Sequence, residues 1–407
     1  MNPLSLPGIP NIHSHSFQRA MAGLAERGSD RADSFWTWRE LMYRFAGRLT
    51  PESLHDISAQ LFVEMLQAGY TSTCEFHYLH HQAGGQPYDD PAAMSHAIIA
   101  AARETGIRLT LLPVLYMTGG FDGRELSDRQ KRFGHDVDAY LTLLDGLVAQ
   151  EDSLLRVGVA LHSLRAVPAD AMRDLLGAPQ LGALRPIHIH ISEQTAEVED
   201  CIASRGARPV QWLLANAAVD EAWTLVHATH VQASELAGIA ASKAVVALCP
   251  TTEANLGDGV FPLRDFIARG GRIGIGSDSN VSVSPVEELR WLEYGQRLVS
   301  RQRNISATLE LPSSGESLVM RAVAGGRQSN GQGVQDDDRL VLDEGSTAMC
   351  GVSTTDLHDR FVFAGNGCPV KDVFVQGKRI IESGRHVHGE RIEQRFRASM
   401  RGLLGDG

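Results

Sequence analysis

A closed parallel (β/α)8 barrel carrying a small β-domain is the fold class that this 407-residue sequence predicts, on three observations. Short runs of apolar and β-branched residues recur, and each is followed by a stretch with helical periodicity and start or stop signals. Eight such units succeed one another before the chain changes character near residue 325. No GxGxxG follows the first run, which removes the commonest signature of the alternative, a doubly wound open sheet.

The elements follow in order. Ile9-Pro10-Asn11-Ile12-His13-Ser14-His15 is the first strand with its exit, and a polar and aromatic stretch over 18–50 holds Trp36, Trp38 and Arg39. Thr50 as N-cap and Pro51 at the first helical position open a helix to about Gln67, stopped by Gly69. Thr71–Tyr78 is a second strand, rich in β-branched residues, and a helix over 91–104 ends at Gly106. Arg108–Tyr116 is the third strand, with a helix over 134–150. Val157–His162 is the fourth, with a helix from Pro168, and Pro186–Ile191 the fifth, with helices over 195–217. Trp223–His230, Ala244–Leu248 and Arg272–Asp278 are the sixth to eighth, with helices over 232–241, over 261–269 and from Pro285. After a helix over 315–324, short antiparallel strands are expected at Phe361-Val362-Phe363, 372–376 and 378–381, with Gly377 in a turn, and a last helix over 389–404. The division expected is a barrel over 1–325, small-domain strands within 326–390 and a C-terminal helical segment over 391–407.

Composition narrows the partners. A hydrophobic content of 43% is enough for a large core, and a net charge of −11 argues against nucleic acid or an anionic membrane. The five cysteines show no close pair, so free thiols in a reducing compartment are expected in place of a zinc framework. The N-terminus lacks the charged and apolar regions of a signal peptide, and no apolar run is long enough to span a bilayer. A cytoplasmic location is the expectation.

In a (β/α)8 barrel the chemistry sits at the C-terminal ends of the strands, and this rule selects among the sixteen histidines. His13 and His15 lie two apart, so both imidazoles leave the first strand on one face. His190 on the fifth strand, His227 on the sixth and Asp278 after the eighth aim at the same mouth. Together they form a ligand set for a divalent ion, most simply zinc, with iron or manganese also compatible. His188 shares a face with His190 but lies deeper, so His190 is taken as the ligand and His188 as a packing or supporting residue. Glu193 follows three residues later, a carboxylate placed for acid–base work beside a metal. Asp278, in Gly274-x-Gly276-Ser277-Asp278, can ligate or accept a proton. The four lysines, Lys131, Lys243, Lys371 and Lys378, supply no carbamylated bridge on the fourth strand, so one metal is expected.

This constellation resembles the amidohydrolase superfamily over about residues 9–300, and among its members the mononuclear deaminases. More narrowly, it is similar to the formimidoylglutamate deiminase family. The runs that carry the likeness are Leu6–Gly23, His188-x-His190-x-Ser192-Glu193-Gln194, Cys249–Gly259 and Gly276–Asn280. The resemblance implies hydrolysis of N-formimino-L-glutamate to N-formyl-L-glutamate and ammonia, by a water activated at the metal attacking the formimino carbon. It implies His13, His15, His190 and Asp278 as metal ligands and Glu193, His227 and Asp278 as catalytic residues. Asp278 would take the water's proton, Glu193 would donate to the imine nitrogen and His227 would stabilise the tetrahedral intermediate. Gln18 would touch the formimino group, and Arg39, Tyr78, His162 and Arg165 the two carboxylates. Arginine suits that task, because its planar fork matches a carboxylate bidentately. A homodimer is also implied. The alternative is another mononuclear deaminase of the same superfamily, acting on a ring amidine such as guanine or cytosine. One departure is visible: family members carry more chain before the first strand, so an incomplete small β-sandwich domain is expected.

Overall fold

The computed structural model describes residues 4–26, 35–182, 185–333 and 335–405. The chain begins with β1 (Ser5–Pro7), β2 (Ile9–Ser14), a 3-10 turn (Ser16–Met21), α1 (Phe35–Ala46), α2 (Pro51–Ala68), β3 (Tyr70–His77), α3 (Ala93–Thr105) and β4 (Arg108–Leu115). It continues through α4 (Val137–Val148), β5 (Leu155–Val157), β6 (Val159–Ser163), α5 (Ala169–Leu176), β7 (Ile187–Ile191), α6 (Thr195–Arg205), α7 (Pro209–Asn216) and β8 (Trp223–His227). Next come α8 (Ala233–Ser242), β9 (Val245–Leu248), α9 (Pro250–Leu256), α10 (Leu263–Ala268), β10 (Arg272–Ile275), α11 (Pro285–Ser300) and α12 (Ser314–Ser329). The last elements are β11 (Arg339–Leu342), α13 (Leu357–Phe363), β12 (Val370–Val375), β13 (Lys378–Glu382), β14 (Arg385–His386) and α14 (Gly389–Leu404).

Strands β2 to β10 form one parallel sheet that closes on itself, because β3 pairs with both β2 and β4. Two short strands, β5 and β6, flank Gly158 and together make one stave, since both pair with β4; the barrel therefore has the eight staves expected. The start of α2 is as read from sequence: Thr50 accepts from the Ser53 N–H, Pro51 follows, and Gly69 closes the helix in a left-handed conformation.

The small domain is a single antiparallel sheet of five strands in the order β1-β11-β12-β13-β14, one layer of the expected sandwich. It draws on both ends of the chain, since Ser5–Pro7 pairs with Arg339–Val341, and not on 326–390 alone. Arg108 at the foot of β4 clasps the buried Asp338 with two hydrogen bonds of 2.7 and 3.2 Å, tying this sheet to the barrel.

One expected strand is a helix. Phe361-Val362-Phe363 ends α13, where Leu357 and Phe361, four residues apart, face the core. The run is rich in β-formers but three residues long, and the 357/361 spacing with an Arg360–Asp356 ion pair favours helix.

Helix α12 runs longer than expected and closes the N-terminal end of the barrel. Its glycines permit the approach: a Cβ on Gly325 would sit 2.0 Å from the Ile273 carbonyl oxygen, and one on Gly326 2.7 Å from Pro10. Polar groups inside the floor bond the end of this helix, His188 Nε2 to the Ser329 carbonyl at 3.1 Å and Thr110 Oγ1 to the Asn330 carbonyl at 2.7 Å. His188 is thus a floor residue. Gly325→Ala should lower unfolding free energy by about 3 kcal/mol, the upper part of the usual overpacking range, read by urea denaturation.

Candidate active site at the C-terminal mouth of the barrel

The first barrel strand delivers its two histidines to one point, as the period of two requires. His15 donates from Nδ1 to the Phe76 carbonyl at 2.8 Å, and His190 donates from Nδ1 to the His162 carbonyl at 3.0 Å. Both bonds leave the Nε2 lone pair facing the barrel axis, the tautomer that binds a metal. His13 Nε2 is 3.0 Å from His190 Nε2 and 3.3 Å from Asp278 Oδ1, and His15 Nε2 is also 3.3 Å from Asp278 Oδ1. A tetrahedral zinc site with bonds of about 2.1 Å has ligand–ligand edges of about 3.4 Å, so these spacings and this donor set fit one small divalent ion. Burial lowers the pKa of His13, to about 3, and those of His15 and His190, keeping all three neutral. The Asp278 carboxyl is held below its usual range against its own burial, through the hydrogen bond with His13 and the charge of His227 nearby.

Asp278 lies beyond the end of β10, shorter than the expected strand, yet it is fixed. Its N–H donates to the His13 carbonyl at 3.0 Å and its carbonyl accepts from the His15 N–H at 2.9 Å. A buried lattice of Asn11, Ser277 and Asn280 joins the two strand ends, with Asn11 Nδ2 donating to Ser277 Oγ at 2.7 Å and Ser277 Oγ to Asn280 Oδ1 at 2.6 Å. Close approach here depends on Gly276, whose added Cβ would fall 2.7 Å from His13 Cβ. Ser192, His227, Ala228, Asp278 and Asn280 all take left-handed φ angles between 47° and 68°. Such backbone strain gathers at functional sites.

Glu193 and His227 face each other across the cluster, with His227 Nε2 3.6 Å from Glu193 Oε1 and 3.7 Å from Asp278 Oδ2. The ligand atoms that all lie within 4.8 Å of one another are those of His13, His190, His227 and Asp278; His15 stands outside that set and meets it at Asp278 Oδ1, so geometry alone admits His227 as a candidate ligand too. Burial opposes its charge, but Glu193, Glu253 and Asp278 raise its pKa to about 10. Burial raises the Glu193 carboxyl into the neutral range, where it can carry a proton to donate. Glu197 shapes the turn beneath it, accepting from the Ser192 and Glu193 N–H groups at 3.2 and 3.0 Å.

The cluster floors an open cleft. All the expected substrate-contacting residues line it: Gln18 from the 3-10 turn, Arg39 from α1, Tyr78 after β3, His162 on β6 and Arg165 after it. Gln18 Nε2 donates to Tyr78 Oη at 2.9 Å, while its buried Oε1 has no partner among the described residues. Arg39 Nε donates to Tyr43 Oη at 2.7 Å. Burial, with Arg165 and Arg39 nearby, holds the His162 pKa well down, making it a neutral hydrogen-bonding group and not a third cation. Tyr43 and Tyr116 also line the cleft, as do Glu197 and Phe133, none of them singled out in the sequence. Tyr43 alone stood in reach, one helical turn after Arg39.

Comparison with known proteins agrees with this geometry. The profile of the Amidohydrolase family matches residues 4–310. A formimidoylglutamate deiminase of Pseudomonas aeruginosa is 51% identical over 398 residues, spanning 96% of this chain and 87% of that protein. A solved amidohydrolase from Brucella melitensis superposes with a TM-score of 0.93 at 43% identity, covering 98% of this chain and 90% of its own. An adenosine deaminase from Xanthomonas campestris, solved with bound zinc, gives 0.79 over 99% of this chain and 87% of that one, at 20% identity, a likeness of fold alone. By its closed barrel, its clustered His–Asp mouth and these matches, the chain belongs to the metal-dependent amidohydrolase family.

Proposed function

We propose that the protein hydrolyses N-formimino-L-glutamate to N-formyl-L-glutamate and ammonia, with His13, His15, His190 and Asp278 holding one divalent ion. The Pseudomonas aeruginosa relative carries the corresponding name at 51% identity. The observation that carries the reading is the lining of the cleft, which the buried Gln18 Oε1, without a partner among the described residues, shares with Arg39 and Arg165. An amidine N–H would satisfy Gln18, and the two guanidinium groups suit two carboxylates.

A divalent ion held by these ligands, zinc on the chemistry of three imidazoles and a carboxylate, supplies Lewis acidity that brings loss of a water proton into the neutral range. The residues do the rest. Arg39, Arg165, His162 and Tyr78 fix the carboxylates, and Gln18 accepts from the formimino N–H. Water attacks the formimino carbon as Asp278 takes its proton. Glu193 donates to the imine nitrogen, and His227 Nε2 faces the charge that develops on the tetrahedral carbon's substituents. The proton held by Asp278 then passes to that nitrogen and the hydroxyl proton returns to Glu193, so that when the carbon–nitrogen bond breaks ammonia leaves and the formyl amide remains.

Removing metal with a chelator should abolish ammonia release, and one equivalent of zinc per chain should restore it. Recovery with iron or manganese but not zinc would revise the metal and leave the ligand set standing. The ring-amidine alternative has no specific observation in this cleft, since zinc-bound adenosine deaminase shares the fold alone. A cytoplasmic homodimer belongs to the same proposal. It is supported by the family likeness and by five cysteines that are all free, and among the described residues no helix is long and apolar enough to cross a membrane.

A further inference from the structure

We infer that Glu253 is a positioning residue for His227, gripping the imidazole at Nδ1 so that Nε2 faces the reacting carbon; the inference rests on the deiminase reading above. His227 ends β8 with φ at +68°, and Ala228 follows at +49°, so its ring leaves the regular strand direction and needs an anchor from outside the strand. That anchor comes from α9. His227 Nδ1 lies 3.3 Å from Glu253 Oε1, while Nε2 looks the other way, toward Glu193 and Asp278. A carboxylate acceptor at Nδ1 selects the protonated Nδ1 and stops the ring from flipping about its Cβ–Cγ bond.

Glu253 is itself held. It is 5% exposed, its Oε1 accepts from the Cys249 N–H at 3.0 Å, and its own N–H donates to the Cys249 carbonyl at 2.9 Å. This reciprocal pair fastens the carboxylate to the start of α9. Glu253 is absent from the wall of the catalytic cleft, so it touches no substrate and acts only through His227.

The test uses zinc-loaded full-length chain with N-formimino-L-glutamate and 15N-histidine spectra. In the wild type the His227 Nδ1–H resonance, identified by its loss in His227→Asn, should be present. Glu253→Gln keeps an oxygen for that proton and should retain the resonance, with kcat within about 5-fold of wild type. Glu253→Ala should lose it, with kcat down about 100-fold and KM little changed. An unprotonated Nδ1 in the wild type would overturn the inference whatever the variants do. So would Glu253→Ala at near wild-type kcat, or Glu253→Gln as impaired as Glu253→Ala. His227, Cys249 and Glu253 also lie within ligand distance of one another, so a second zinc per chain that disappears in Cys249→Ser would make Glu253 a ligand instead. Wild-type protein that shows the resonance but releases no ammonia would sink the substrate assignment and leave the anchor standing.

Discussion

Asp278→Asn should reduce ammonia release at least about 1,000-fold while the protein stays folded. The side chain serves two roles in the proposed chemistry: a charged ligand beside His13 and His15, each 3.3 Å from Oδ1, and the acceptor of the water proton. Asparagine keeps the shape and loses both the charge and the basic oxygen. Its neighbours are otherwise undisturbed, because the strand ends are joined through the backbone of Asp278 and the Asn11–Ser277–Asn280 lattice. Thermal unfolding should therefore change little, measured with metal removed to separate fold from ligation. Metal content of the variant distinguishes the two roles: one ion retained with turnover lost points to proton transfer, whereas an ion lost points to ligation. Activity equal to wild type would contradict both.

Arg165→Met should raise KM and lower kcat/KM about 100- to 1,000-fold. A bidentate charge-assisted pair between guanidinium and carboxylate, lost from a partly buried site, accounts for about 3–4 kcal/mol, and 1.36 kcal/mol is tenfold. Methionine retains the apolar stem, so the loss reports the charge and not the packing. Arg165 also stabilises the negative forms of Glu193 and Glu197, so some fall in kcat is expected alongside the rise in KM. The measurement is steady-state kinetics with N-formimino-L-glutamate and with a substrate analogue lacking the side-chain carboxylate. If Arg165 binds that group, the variant and wild type should differ far less on the analogue. An equal loss on both would place Arg165 on the other carboxylate.

The barrel and the heart of its mouth were legible because two periodicities and one topological rule act together. Alternation along a strand puts His13 and His15 on one face, and the barrel sends His190, His227 and Asp278 to the same end. The supporting residues were harder to see. Glu253 and Glu197 act through hydrogen bonds across a turn or between elements, and a carboxylate in a helix's first turn looks the same whether it caps or orients. The Asn11–Ser277 bond joins residues 266 apart, a contact no local pattern announces. Helix α13 was misread because Phe361-Val362-Phe363 was weighed without the four-residue spacing back to Leu357. Strand β1 was missed for a related reason: three residues including a proline gain their strand character only from pairing with Arg339–Val341. Helix α12 was foreseen as an element, but the pairing of Gly325 and Gly326 with the barrel floor is a tertiary fact.

The central claim is that this mouth deiminates a linear formimino amino acid. Zinc-loaded protein should be incubated with N-formimino-L-glutamate, and ammonia and N-formyl-L-glutamate quantified together. Equimolar release of the two, absent from metal-free protein, is the expected result. Protein that binds one ion per chain yet releases no ammonia would contradict it.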